Sequence, residues 1–168
     1  LRTIYKLNDE FEIKQWIINY DEFKFKVNHF DLKYENLPLD AVKKYIQKDN
    51  DISFDLEKGP LLRVSFFQLS NSQYVLYCNM HHIVTDGWSM NILERDLLAF
   101  YEAIKSGIAH KLPNLRIQYK DYASWQLSAI EEGLYNNHKQ FWIEYLSGEL
   151  PKLDFPSFKT RPKLMSHH

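Results

Sequence analysis

Cysteine is almost missing from this chain. Cys78 is the only one, which excludes an intramolecular disulfide and any Cys-x-x-Cys metal or redox site and suits a reducing cytoplasm. Excess charge of either sign is missing too. Twenty-one Lys and Arg face twenty-two Asp and Glu, for a net charge of -1, with no long single-sign block. The basic footprint that grips a phosphate backbone is therefore absent, and nucleic acid is not an expected partner. No apolar run reaches the roughly 18 to 20 residues of a membrane span, and no charged-then-apolar leader opens the chain, so neither membrane nor export is expected. What remains is 168 residues, 45% hydrophobic and 26% charged, the composition of one ordinary soluble globular domain.

Both ends read as cut. The chain starts at Leu1-Arg2-Thr3 without an initiator Met and runs at once into the strand-like pattern Leu1, Thr3, Tyr5, Leu7. Pro151, Pro156 and Pro162 punctuate a last stretch, residues 151–168, that reads as a connector. His167 and His168 read either as the beginning of a tag or as native sequence and are set aside. Between the ends, Phe23, Phe25 and Val27 alternate with polar residues as in a half-buried strand, and Phe11 to Lys14 repeats this less cleanly. From Pro38 the period becomes helical through Leu39, Val42, Tyr45 and Ile46. Leu61 to Leu69 and Tyr74 to His82, joined by Ser70-Asn71-Ser72-Gln73, predict a β-hairpin. After Gly87 helical spacing runs to a stop at Gly107, and two more helices are expected over Tyr119 to Ile130 and Leu134 to Leu146. Strands, then a hairpin, then helices predict an α+β fold with a mixed sheet packed with helices. Trp16, Trp125 and Trp142 lie in apolar patterns and are expected in the core.

One polar cluster interrupts this apolar pattern: His81-His82-Ile83-Val84-Thr85-Asp86-Gly87. A lone histidine would ordinarily be a satisfied core side chain. A pair followed by Asp-Gly at a strand end points instead to chemistry. Adjacent strand residues face opposite ways, so His82 shares a face with Leu76, Cys78 and Met80, and His81 with Val75, Tyr77 and Asn79. Two such histidines do not readily share one metal, and no further ligand sits at a supporting offset, so no metal site is expected. A desolvated imidazole that accepts a proton from a nucleophile fits better. Gly87 would let the backbone turn sharply into a helix whose N–H groups meet a developing oxyanion, while Asp86 would cap that helix, orient the loop or pair with an Arg.

The run from His81 to Gly87, continuing through Trp88-Ser89-Met90, resembles the HHxxxDG active-site motif of the condensation domains of nonribosomal peptide synthetases, members of the chloramphenicol acetyltransferase-like superfamily. Three further segments agree in order: Phe54-Asp55-Leu56-Glu57-Lys58-Gly59-Pro60-Leu61-Leu62-Arg63 with FDLxxxPLxR, Tyr119-Lys120-Asp121-Tyr122-Ala123-Ser124-Trp125-Gln126 with YxDYAxWQ, and Phe141-Trp142 to Leu150-Pro151 with FW(x)nLP. Leu1-Arg2-Thr3 matches only the tail of the upstream RHExLRT motif, and Phe158 stands where the family usually has an acidic residue.

The resemblance implies a chloramphenicol acetyltransferase-like lobe over residues 1–150, truncated at its start, and a connector over 151–168 toward a missing C-terminal lobe; such a piece alone is expected to be inactive. It implies His82 as the catalytic or positioning group, Gly87 beside the reacting carbonyl, His81 as structural, and Asp86 paired with Arg2 to hold the loop. Trp88 and Ser89 are candidates for lining the substrate tunnel, and Trp88-Ser89-Met90 looks more like condensing than epimerising members. The implied reaction joins aminoacyl or peptidyl thioesters, with donor and acceptor carrier proteins and an adjacent adenylation domain as partners. No cofactor is bound directly; phosphopantetheine arrives as the arm of the carrier proteins. Other acyl transfer, epimerisation, or a non-catalytic docking role remain the alternatives.

Overall fold

The computed structural model describes residues 1–109 and 112–151; residues 152–168, most of the expected connector, lie outside them. The chain divides into two units, Leu1–Lys111 and Leu112–His168. In the first, β1 (Thr3–Leu7) and β2 (Ile13–Ile17) form an antiparallel pair with Thr3 opposite Ile17. The turn between them is closed by Asn8, whose side-chain oxygen accepts the backbone N–H of Glu10 and Glu12 at 3.0 and 2.8 Å. Phe11 sits in this turn at a φ of 60° and not in a strand.

The second sheet is mixed, in the order β3-β4-β5. β3 (Val27–Asp31) runs parallel to β4 (Leu62–Gln68), and β5 (Tyr74–Met80) runs antiparallel to β4, with Leu62 opposite Met80. The parallel pairing needs a crossover, and α1 (Pro38–Asn50), begun by its proline, lies within it. Val42, Tyr45 and Asp49 recur at helical spacing, and the rings show which face of the sheet they meet. Tyr45 stands edge-on to Phe67 with ring centres 5.1 Å apart, Phe30 stacks on Phe67 at 5.0 Å, and the Ser65 hydroxyl donates to the Tyr45 oxygen at 2.8 Å. Leu61, Ser65 and Phe67 are the most deeply buried side chains among the described residues. The expected hairpin is present, its turn held by Ser70 Oγ, which accepts from the N–H of Ser72 and Gln73.

The strand expected from the Phe23, Phe25, Val27 alternation begins only at Val27. Phe25 N–H donates to the Phe23 carbonyl at 2.9 Å, a tight local turn that replaces cross-strand pairing over residues 23–26. α2 (Gly87–Lys105) ends as the sequence indicates: Gly107 has a φ of +67°, which glycine adopts without steric cost, and the Ile108 N–H returns to the Ala103 carbonyl at 2.9 Å.

In the second unit, α3 (Tyr119–Glu131) starts where the Asp121 carboxylate accepts the Gln118 N–H at 2.8 Å, and α4 (Asn136–Tyr145) carries Phe141 and Trp142, each ring packed on Tyr145. The three tryptophans expected in the core are not there: Trp16, Trp125 and Trp142 are 50%, 53% and 55% exposed. Their apolar periodicity marks an apolar face and does not by itself bury it.

Candidate active site

β5 delivers the histidines, but its strand geometry stops at Met80. His81 is still extended, at φ -69° and ψ 135°, whereas His82 opens a single turn of 3-10 helix, His82–Val84. Face alternation therefore holds for His81 and fails for His82, which the turn re-aims.

His81 is pinned at every polar atom of its backbone. Its N–H donates to the Leu61 carbonyl at 3.1 Å, and its carbonyl accepts from Val84 N–H at 3.1 Å. Its side-chain Nδ1 accepts the Ile83 N–H, also at 3.1 Å, so the imidazole caps the turn and holds its lone pair inward. From β1, the Tyr5 hydroxyl donates to the Ile83 carbonyl at 3.2 Å. His82 makes none of these bonds and is exposed; the desolvated imidazole expected from the sequence is not what this chain presents.

Asp86 lies beyond the turn in extended conformation and caps α2. Its Oδ1 accepts the Ser89 N–H at 2.8 Å and the Ser89 hydroxyl at 2.6 Å. These bonds hold its carboxyl below the usual carboxylate range, with a smaller contribution from His82. The expected ion pair to Arg2 is not formed. Arg2 donates to the Ile18 carbonyl at 2.6 Å, which ties it to the end of β2, and the Asp86 carboxylate is taken up by its own helix. A capping role predicts a clean split: Asp86→Asn, which still accepts from Ser89, should keep the thermal midpoint near wild type, and Asp86→Ala should lower it.

Gly87 is the first residue of α2 and has no positive φ; a Cβ built on it meets nothing within 4 Å. Backbone freedom is thus not its contribution. Its missing side chain leaves open space at the helix start, where the N–H groups of Gly87 and Trp88 have no partner within the helix. Trp88 is 78% exposed beside them, while Ser89 is committed to Asp86.

Sequence reasoning missed the polar network behind His81. Asp49, at the end of α1, is 5% exposed. Its Oδ2 accepts from Tyr77 hydroxyl at 3.0 Å and from Asn79 Nδ2 at 2.7 Å. Arg63 Nε stands 2.8 Å from Oδ1, at ion-pair distance though with its N–H poorly aligned, and Arg63 Nη2 donates to the carbonyls of Asp49 and Ile52 at 2.8 and 3.0 Å. Burial alone would raise the Asp49 carboxyl; the bonds from Asn79, Tyr77 and Arg63 outweigh it and bring it below the ordinary value. Burial and the neighbouring carboxylate push the Tyr77 phenol from 10.0 up to about 12. A group whose native pKa is raised stabilises the fold below its unfolded value and loses that stability as the pH climbs through the native one. Between pH 10 and about 12 the protein should therefore lose stability, and Tyr77→Phe should flatten that part of a stability profile measured by urea unfolding. The signal available in the sequence was the shared parity of Tyr77, Asn79 and His81, together with a carboxylate seven residues after Val42 on one helix face.

Among the described residues no group of three or more His, Cys, Asp and Glu side chains is arranged to hold a metal, and no helix is long and apolar enough to cross a membrane. Cys78 faces away from the network on β5, and burial pushes its thiol up, away from the reactive thiolate.

A family model described as Condensation domain matches residues 1–167. Malpinin synthetase of Mortierella alpina is 40% identical over 121 residues, which cover 72% of this chain and 2% of that protein. Malpibaldin synthetase, also of Mortierella alpina, is 35% identical over 138 residues, covering 82% of this chain and 2% of that protein. Among solved structures, the epimerization domain from the third module of tyrocidine synthetase B aligns with a TM-score of 0.76 at 26% identity, over 94% of this chain and 36% of that one. The starter condensation domain of rhizomide synthetase RzmA aligns with a TM-score of 0.74 at 19% identity, over 88% and 35%, a likeness of fold alone. The chain spans about a third of the solved chains it matches and a small share of the curated synthetases.

Proposed function

Since this chain belongs to the condensation-domain family of nonribosomal peptide synthetases, we propose that it contributes the histidine-bearing part of a site that forms a peptide bond between two thioesters carried on phosphopantetheine arms. The observation that carries this reading is the division of labour in the histidine pair: the backbone and Nδ1 of His81 hold the turn, and His82 stands exposed beside an open helix start, making none of those bonds.

The acceptor's α-amine attacks the donor thioester carbonyl. A C–N bond forms, the carbonyl oxygen takes the electron pair, and collapse of the tetrahedral species breaks the C–S bond and releases the thiol. His82 orients the amine, takes its proton after attack and returns it to the departing sulfur. The N–H groups at the start of α2 face the developing oxyanion, and the absent side chain of Gly87 gives the carbonyl room. Asp86 acts by capping α2, not by moving a proton. Trp88 and Ser89, flanking the open space, contribute to the wall along which the arms lie. Carrier proteins present both substrates, and the remaining lobe and an adenylation domain belong to the same assembly; alone, this chain should not turn over.

A second reading, epimerisation of a carrier-bound residue, is favoured by the likeness to the tyrocidine synthetase epimerization domain. The test is mass spectrometry and chiral analysis of the carrier-bound product formed by the full polypeptide containing this chain. A newly joined aminoacyl chain supports condensation; an inverted residue with no new bond supports epimerisation instead.

A further inference from the structure

The strongest unused feature of the molecule is the route by which the Asp49 network reaches the histidine turn. The Arg63 guanidinium, oriented by Asp49 and by the Asp49 and Ile52 carbonyls, lies with its central carbon 3.9 Å from the centre of the Phe54 ring. The same ring stands at 89° to the His81 imidazole, with centres 6.0 Å apart. His81 in turn caps the turn that His82 begins. A cation over an aromatic face holds that ring in place, and a perpendicular partner is the favoured arrangement for the next one. The four side chains come from the end of α1, the segment after it, β4 and the residue that follows β5, so they join separate elements of the unit.

We propose that Phe54 and Arg63, with Asp49 behind them, are positioning residues for the acyl-transfer step: they fix the His81 rotamer and tautomer, and through the His81 cap they set where His82 stands. None of the three touches substrate. The proposal rests on the acyl-transfer reading for its kinetic consequence but not for its structural one. Arg63 anchors buried polar groups, so its loss endangers folding itself; Phe54 is the cleaner probe, because its ring bridges the guanidinium and His81.

The experiment uses the full polypeptide bearing this chain as wild type, Phe54→Leu and Phe54→Tyr. It reads single-turnover product formation at saturating loaded carrier proteins and the ring-carbon and ring-nitrogen NMR signals of isotope-labelled histidine. Phe54→Leu should slow turnover about tenfold or more without raising the half-saturating carrier concentration, as expected when a reacting group is misplaced. Its His81 signals should shift from one fixed neutral tautomer toward an average of two, with the thermal midpoint held. Phe54→Tyr, which keeps the ring, should recover most of the rate and the single tautomer. Wild-type His81 signals in Phe54→Leu would overturn the proposal, as would equal losses in Leu and Tyr variants. Averaged His81 signals with an unchanged rate would uphold the positioning of the turn and count against the acyl-transfer reading instead.

Discussion

Arg63→Met should destabilise the unit containing the mixed sheet by about 3 kcal/mol. The guanidinium is paired with a carboxylate whose side chain is only 6% exposed, while its own is 22% exposed. Removing one partner of a buried pair typically costs about 3 to 5 kcal/mol, because the other is left as an uncompensated charge. The partial exposure of Arg63 admits water and places the expected value at the lower end. Methionine keeps much of the aliphatic volume, so little of the loss is cavity formation. Two carbonyls, of Asp49 and Ile52, lose their donor as well. The double variant Asp49→Asn with Arg63→Met should recover part of the loss, since the neutral amide still meets Tyr77 and Asn79 without burying a charge. Urea unfolding followed in the full polypeptide checks this. A shift below about 1 kcal/mol for Arg63→Met, the scale of an exposed pair, would show that the pair is not a buried anchor.

The parts of the molecule legible in the sequence are those set by local rules. Pro38 begins α1, Ser70 closes the hairpin, and Gly107 ends α2, each through its own backbone or side-chain chemistry. The mixed sheet and its helices agree with the fold class read from element order. Where the sequence misled, the deciding partner lay elsewhere in the chain. Phe23 and Phe25 alternate like a strand but have no neighbour to pair with until Val27 meets Val64. Trp16, Trp125 and Trp142 look like core because periodicity reports an apolar face and says nothing of what covers it. The histidine motif was legible as a site, yet its geometry was not: the strand parity that assigns His82 a face ends at Met80, one residue before the pair begins. Asp86 illustrates the same limit, since its three available roles were a cap, a loop anchor and an Arg partner, and Ser89 three residues on supplies the first at 2.8 Å. Asp49 was invisible for a different reason. An aspartate near a helix end reads as solvated until Arg63, Tyr77 and Asn79 are seen to converge on it.

In the proposed mechanism His82 performs the proton and positioning work of acyl transfer while His81 only holds the turn. Positioned acid–base groups contribute typically 10² to 10⁴ in rate. An α-amine titrates at about pH 8, so a substantial share is already a neutral nucleophile at pH 7, and the expected effect is at the low end of that range. His82→Ala in the full polypeptide should therefore slow single-turnover product formation about a hundredfold at saturating loaded carrier proteins. Because His82 is exposed and makes none of the bonds that hold the turn, its thermal midpoint should stay at the wild-type value. A His82→Ala rate within about twofold of wild type, in a protein of unchanged thermal midpoint, would contradict this mechanism and leave the chain as a surface that docks acylated carrier proteins without acting on them.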